Sequence, residues 1–159
     1  MGKIKALLLD IDGTILLSNE AHARAYAEAA AALRVPADFD TIRRLIGKGG
    51  DKLLPEAFEL KPDSDLAKQL TELKASIFKT RYLPTLQPSV GARPLLQRLR
   101  EEGIKLVVAT SAPADEVSSL LERAGVQDLI QDRTSAAAIV FNNSRSATPI
   151  GKFAEERNE

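Results

Sequence analysis

Residues 7–14 read LLLDIDGT, an apolar run that stops on two aspartates one residue apart and then on a glycine. The apolar part, IKALLL over residues 4–9, is continuous rather than alternating and is closed by turn residues. That pattern predicts a fully buried strand of a parallel sheet. Asp10 and Asp12, two positions apart, project the same way off the strand end, and Gly13 permits the sharp turn that keeps them there.

The following residues show what this strand is built into. NEAHARAYAEAAAALR is rich in strong helix formers, starts near Ser18 or Asn19 as caps and stops before Pro36. FDTIRRLI is a second helix running into the loop GKGGD, and DKLLPEAFEL and SDLAKQLTELKASIFKTRYL are two more, separated by the turn KPDS. With no strand among them, these four stretches read as an insertion. QPSVGARPLLQRLREEG then supplies a helix with Pro94 near its first turn and Gly103 as its terminator. IKLVVAT is a second buried strand, and PADEVSSLLERAG a helix opened by proline and closed by glycine. Strand, helix, strand, helix is the parallel α/β pattern, whose right-handed crossovers bring the carboxyl ends of both strands to one edge of the sheet.

Open parallel sheets bind ligands at that edge, so DIDGT and TSA converge on one pocket. Paired carboxylates there suit a hard divalent cation such as magnesium, which prefers oxygen ligands and keeps several waters. They also suit a division of labour, one attacking as a nucleophile while the other transfers protons. Thr110, with Ser111 and the first amides of the following helix, offers hydroxyl and N–H donors to an anion. The ligand implied is a phosphoryl group. Two bland readings compete: a turn with a purely structural role, and a fragment of a calcium loop. The calcium loop puts Leu8 and Asn19 at its first and last ligand positions, and neither suits.

LLLDIDGT followed far downstream by VVATSA resembles the first two signatures of the haloacid dehalogenase superfamily. The branch is the phosphatase-like one, akin to phosphoglycolate phosphatases and β-phosphoglucomutases, in which a helical cap lies between the two signatures. AHARAY and LIGKGGDKLL also resemble cap segments of phosphatase-like members. The resemblance covers roughly residues 4–131. It implies an α/β fold with a Rossmann-like parallel-sheet core over residues 1–16 and 88–159 and an inserted α-helical cap over residues 17–87. By matching position, Asp10 is implied as the nucleophile that forms an aspartyl-phosphate. Asp12 is implied as the general acid/base that also lends its backbone carbonyl to magnesium, and Thr110 as the ligand of a phosphoryl oxygen. Members that cleave carbon–halogen bonds generally lack the second aspartate, so Asp12 favours phosphoryl transfer. Gly13, Thr14, Ser111 and Ala112 are the expected substrate-binding positions around these groups. In the cap, His22 and Lys48 are candidate substrate contacts; the competing readings are a packing histidine and a solvated loop lysine.

Past residue 131 the motifs stop matching. The family continues with a phosphate-neutralising lysine, often followed by proline, and a later strand ending in GD. Here Lys152 lacks that proline, and only seven residues follow it. The reading therefore expects a core incomplete at its C-terminus, as a truncated or frame-shifted coding region produces, with magnesium held weakly and AAAIVF either a substitute strand or an exposed apolar segment of high β propensity. Lys plus Arg and Asp plus Glu are both 22, so no overall field draws nucleic acid or an anionic membrane. The absence of cysteine excludes disulfides and thiolate chemistry and fits a reducing cytoplasm. The expectation is a cytoplasmic, monomeric, magnesium-dependent phosphatase acting on a small phosphorylated metabolite. Two alternatives stay open: a catalytically incomplete member that binds phosphorylated ligands or a protein partner, and a phosphomutase.

Overall fold

A computed structural model describes residues 4–110, 112, 114–130 and 132–135. Its element order is β1 (Ala6–Leu9), α1 (Asn19–Ala32), α2 (Phe39–Leu45), α3 (Gly50–Phe58), α4 (Asp65–Ile77), α5 (Ala92–Glu101), β2 (Lys105–Thr110), α6 (Ala114–Arg123) and β3 (Asp132–Ser135). The strands form a parallel sheet in the order β1-β2-β3, with Leu9 beside Val108 and Thr110 beside Ser135. Parallel pairing requires long crossovers, and the stretch between β1 and β2 carries α1 to α5.

Each expected helix forms, and the local chemistry explains most of the boundaries. Asp38 caps α2 by accepting the Thr41 amide at 2.8 Å, and Ser64 caps α4 through the Ala67 amide. Alanines at 21, 23, 25, 29 and 30 bury the packed sides of α1 with little side-chain bulk, which lets α4 and α2 lie close to it. After α4 the backbone widens into a π-turn over Phe78–Tyr82 and then tightens into a 3₁₀ turn over Leu83–Thr85.

The described residues contain two apolar clusters. One joins the sheet to α5 and α6 through Leu9, Ile11, Leu96, Leu106, Val108, Leu120 and Leu121, and reaches Ala21, Ala25 and Phe78 at the base of the insertion. The other lies inside α1 to α4, around Tyr26, Ile42, Leu54, Phe58 and Leu70. The chain enters and leaves the insertion side by side: the Leu17 amide donates to Gln87 O at 3.0 Å, and the Ser89 amide to Ile15 O at 2.9 Å.

Two expectations need correcting. The strand at 4–9 is not buried on both faces: Leu9 is buried, but Leu8 is 58% exposed and Ile4 70%. Among the described residues β1 is an edge strand, and the face bearing Ala6 and Leu8 lacks the second helical layer that a continuous apolar run anticipates. Second, Ser18 occupies the N-cap position of α1 without capping it by its side chain. A strand the sequence did not signal also forms at Asp132–Ser135, a polar stretch without strand periodicity; β2 imposes it by offering a free parallel edge. AAAIVF and Lys152 lie outside the described residues. No helix among the described residues is long and apolar enough to cross a membrane.

Candidate active site

Both expected segments lie at the carboxyl end of the sheet. β1 and β2 are parallel and in register, so Asp10 directly follows Leu9 while Thr110 closes β2 two positions past Val108, its partner. Residues 11–16 then fold back tightly: the amides of Thr14, Ile15 and Leu16 all point to Ile11 O, and the Gly13 amide donates to Leu16 O at 2.8 Å. This turn needs Gly13 at φ +75°, and a Cβ there would sit 2.2 Å from Asn19 Nδ2.

The two aspartates have different surroundings. Asp10 is exposed at the strand end. Desolvation by nearby protein, together with the Asp12 charge, raises its pKa; the Ile11 amide and the Thr14 hydroxyl only partly oppose this. Asp12 points back toward the insertion. Its Oδ1 accepts the Ser18 hydroxyl at 2.5 Å and lies 3.0 Å from His22 Nε2. Since a carboxylate only accepts, Nε2 carries the donating hydrogen of that pair. Burial works against the Asp12 charge, but the His22 bond and charge, the Ser18 hydroxyl and the more distant Lys74 ammonium outweigh it and hold the carboxyl below its usual value.

His22 is 8% exposed and stacks on Phe78, with ring centroids 3.9 Å apart and planes within 10°. Phe78 opens the π-turn, so the widened backbone sets the ring that backs the histidine. Thr110 is 4% exposed, and its Oγ1 accepts the Ala112 amide at 3.1 Å. This bond ties the expected substrate-binding position Ala112 to the end of β2. Ser111 lies outside the described residues. Lys48 pairs with Glu56 at 2.9 Å, both about half exposed, and no described contact joins it to Asp10, Asp12 or Thr110.

Sequence reasoning missed Ser18 as a partner of Asp12, and it missed Lys74. Their spacing carried a signal. Ser18, His22 and Tyr26 fall four apart on one face of α1, all buried, and Lys74 and Phe78 fall four apart on the segment facing them. Polar residues recurring at i, i+4, i+8 within an alanine-rich helix mark a face turned toward something polar.

Magnesium takes oxygen ligands and tolerates a sparse protein set. The exposed Asp10 carboxylate fits that preference, as does the main-chain carbonyl of Asp12, whose side chain is already occupied by Ser18 and His22. Among the described residues no group of three or more His, Cys, Asp or Glu converges on one point.

The haloacid dehalogenase-like hydrolase family profile matches residues 4–153, beyond residue 131 where the motif reading stopped. The phosphoglycolate phosphatase of Rhodospirillum rubrum is 31% identical over 141 residues, covering 80% of this chain and 56% of that protein. The phosphorylated carbohydrates phosphatase of Thermotoga maritima is 29% identical over 124 residues, covering 76% of this chain and 56% of the relative. The chain thus spans little more than half the length of these relatives. A hydrolase structure from Pseudomonas syringae superposes with a TM-score of 0.72 at 26% identity, over 82% of this chain and 60% of that one. With the profile match extending over nearly the whole chain and the parallel sheet ending on Asp10, Asp12 and Thr110, this protein belongs to the haloacid dehalogenase-like hydrolase family.

Proposed function

We propose that the chain hydrolyses a small phosphorylated metabolite, with Asp10 as the nucleophile that takes the phosphoryl group and Asp12 as the group that handles protons. The observation that carries this reading is the unequal treatment of two neighbouring carboxylates: Asp10 is exposed and free to attack, while Asp12 is held by Ser18 and His22. The names of the relatives, a phosphoglycolate phosphatase and a phosphorylated carbohydrates phosphatase, support the substrate class.

In the first half-reaction an Asp10 oxygen attacks phosphorus, the ester bond to the leaving oxygen breaks, and a proton passes from Asp12 to that oxygen. In the second, Asp12 takes a proton from water, which attacks phosphorus and releases phosphate and Asp10. Thr110 and the Thr14 hydroxyl flank the transferring group, and residues 17–87 act as a cap hinged on the paired crossings at 15–17 and 87–89. Without a ligand, the directions of the two pKa shifts are the reverse of what this chemistry uses, since Asp12 is the stronger acid. A magnesium ion held by Asp10 and the Asp12 carbonyl would supply positive charge that lowers Asp10 and offsets its repulsion from a phosphate dianion. For Asp12 to carry a proton, substrate must draw its carboxyl away from Ser18 and His22. The leaving oxygen then takes the place of one of those bonds.

The lack of a converging acid triad among the described residues favours a second reading, a member that binds phosphorylated ligands and turns them over slowly or not at all. One experiment separates the two. Magnesium-dependent hydrolysis of a generic aryl phosphate, lost in Asp10→Asn, supports the hydrolase. Binding of phosphate esters without turnover supports the binder, and magnesium-independent turnover that survives Asp10→Asn contradicts both.

A further inference from the structure

Beside Asp12 lies a group of side chains that this chemistry does not use. Lys74 on α4 holds its ammonium 5.2 Å from the Tyr26 ring centroid and 5.1 Å from that of Phe78, so its charge rests over two aromatic faces contributed by the insertion. On the sheet side, Glu116 is the third residue of α6 and six past Thr110. Its Oε1 is shielded from solvent and has no hydrogen-bond partner among the described residues. Glu116 belongs to the same electrostatic neighbourhood. After burial, its charge is what pushes the Tyr26 phenol up, and with Asp12 it opposes the lowering that burial imposes on Lys74. No described ion pair joins Lys74 to Glu116. The ammonium and the carboxylate thus sense each other without bonding.

A carboxylate oxygen removed from water and given no donor is destabilising, and the remedy is a donor delivered to it. The insertion carries the aromatic and cationic side of this cluster, while the sheet domain carries Glu116, Asp10 and Asp12. Substrate entering beside Asp12 meets both sides. Magnesium would offset Asp10, and a protonated Asp12 carries no charge, so the unpartnered Glu116 oxygen is the group that discriminates: it accepts from a cation or a neutral donor and repels a second carboxylate.

We propose that Glu116 reads the leaving group of the phosphorylated substrate, its buried Oε1 accepting from a hydroxyl or ammonium that the substrate carries beside its phosphoester, and that it turns away leaving groups bearing a carboxylate. This rests on the phosphoryl-transfer reading and narrows its substrate class to phosphomonoesters of polyols, sugars or amino alcohols, as against those of hydroxy acids. Glu116 also makes closure of the insertion depend on the substrate. A ligand that brings a donor removes the penalty of the unpartnered oxygen, and a ligand without one leaves it in place.

The test uses three phosphonates of matched size that cannot be hydrolysed: 2-aminoethyl, 2-hydroxyethyl and carboxymethyl phosphonate. Their dissociation constants are measured by calorimetry with magnesium present throughout. The wild-type chain should bind the aminoethyl and hydroxyethyl compounds at least about tenfold more tightly than the carboxymethyl one, a usual size for one misplaced charge at a binding site. Glu116→Gln, which keeps the shape, should cut that ratio to about threefold or less and should affect the aminoethyl compound most. A purely structural Glu116 would shift all three affinities together and leave their ratio alone. Equal binding of the three by the wild type, a preference for the carboxymethyl compound, or an unchanged ratio in Glu116→Gln would each overturn the inference while leaving the phosphoryl-transfer reading intact. Failure of all three phosphonates to bind would overturn both.

Discussion

His22 is where the geometry makes its sharpest quantitative demand. The ring does two things at once, donating to Asp12 at 3.0 Å and stacking on Phe78, with side-chain exposure of 11% for His22 and 19% for Asp12. A buried hydrogen bond to a charged group contributes about 1.5–3 kcal/mol. An aromatic stack adds roughly 0.5–1.5 kcal/mol beyond area. His22→Ala removes both and should destabilise the protein by about 2–4.5 kcal/mol. His22→Phe keeps the stack and loses only the bond, so about 1.5–3 kcal/mol should remain. The effect must also depend on pH. The pKa of Asp12 is depressed in the folded state, so its stabilisation is present above the ordinary value of 3.8 and disappears as pH falls through the lower folded value. The difference between wild type and His22→Phe should therefore be full at neutral pH and shrink below the usual carboxylate range. Urea unfolding at neutral and acid pH, repeated in an Asp12→Ala background where the histidine has nothing to donate to, measures each part. If His22→Phe matches the wild type at neutral pH, or costs as much in the Asp12→Ala background as alone, the pairing argument is refuted.

Asp10→Asn should abolish turnover, because an amide cannot act as the carboxylate nucleophile, and should leave stability the same or slightly higher at neutral pH. The raised folded pKa of Asp10 means its ionisation weighs against folding above that pKa and not below the unfolded value, so any gain in melting temperature should vanish in acid; a clear loss at neutral pH would contradict this. Gly13→Ala should cost roughly 1–2 kcal/mol for the left-handed backbone, plus whatever it takes to turn Asn19 away from a Cβ 2.2 Å from its Nδ2. Adding Asn19→Ala should recover the second part only, as read by urea titration. Lys48→Ala should weaken hydrolysis of a bulky phosphoester more than of a small aryl phosphate, since remote contacts position substrate; equal effects would leave the Glu56 ion pair as its whole role.

The sequence made the frame legible wherever a local signal coincided with a tertiary need. The apolar runs before Asp10 and Thr110 became β1 and β2, and the stretches bounded by Asp38, Ser64 and Gly103 became helices, because caps and terminators act within a turn of the chain. The two aspartates at the strand end were legible for the same reason, as spacing along the chain, but the turn of Asp12 onto Ser18 and His22 was not. What was hidden depended on distant partners. DRTS became β3 only because β2 presented an open edge, and the outward face of β1 follows from which layers cover the sheet, which no run of leucines records. Ser18 looked like a helix cap, yet its hydroxyl found the stronger acceptor in Asp12 once the turn at Gly13 brought the two together. Lys74 and Glu116 are ordinary charged residues on amphipathic helices until the fold lays the ammonium over Tyr26 and Phe78 and shields the Glu116 Oε1 from solvent.

The most direct measurement concerns the covalent bond that the account places on Asp10. The chain, mixed with magnesium and excess aryl phosphate and quenched with acid during turnover, is digested and weighed peptide by peptide. The account predicts one phosphoryl group on the peptide containing LLLDIDGT, fragmenting to Asp10, present in the wild type and absent from Asp10→Asn. Sustained turnover with no phosphorylated Asp10, or a phosphoryl group carried by His22 or any other residue, would contradict it.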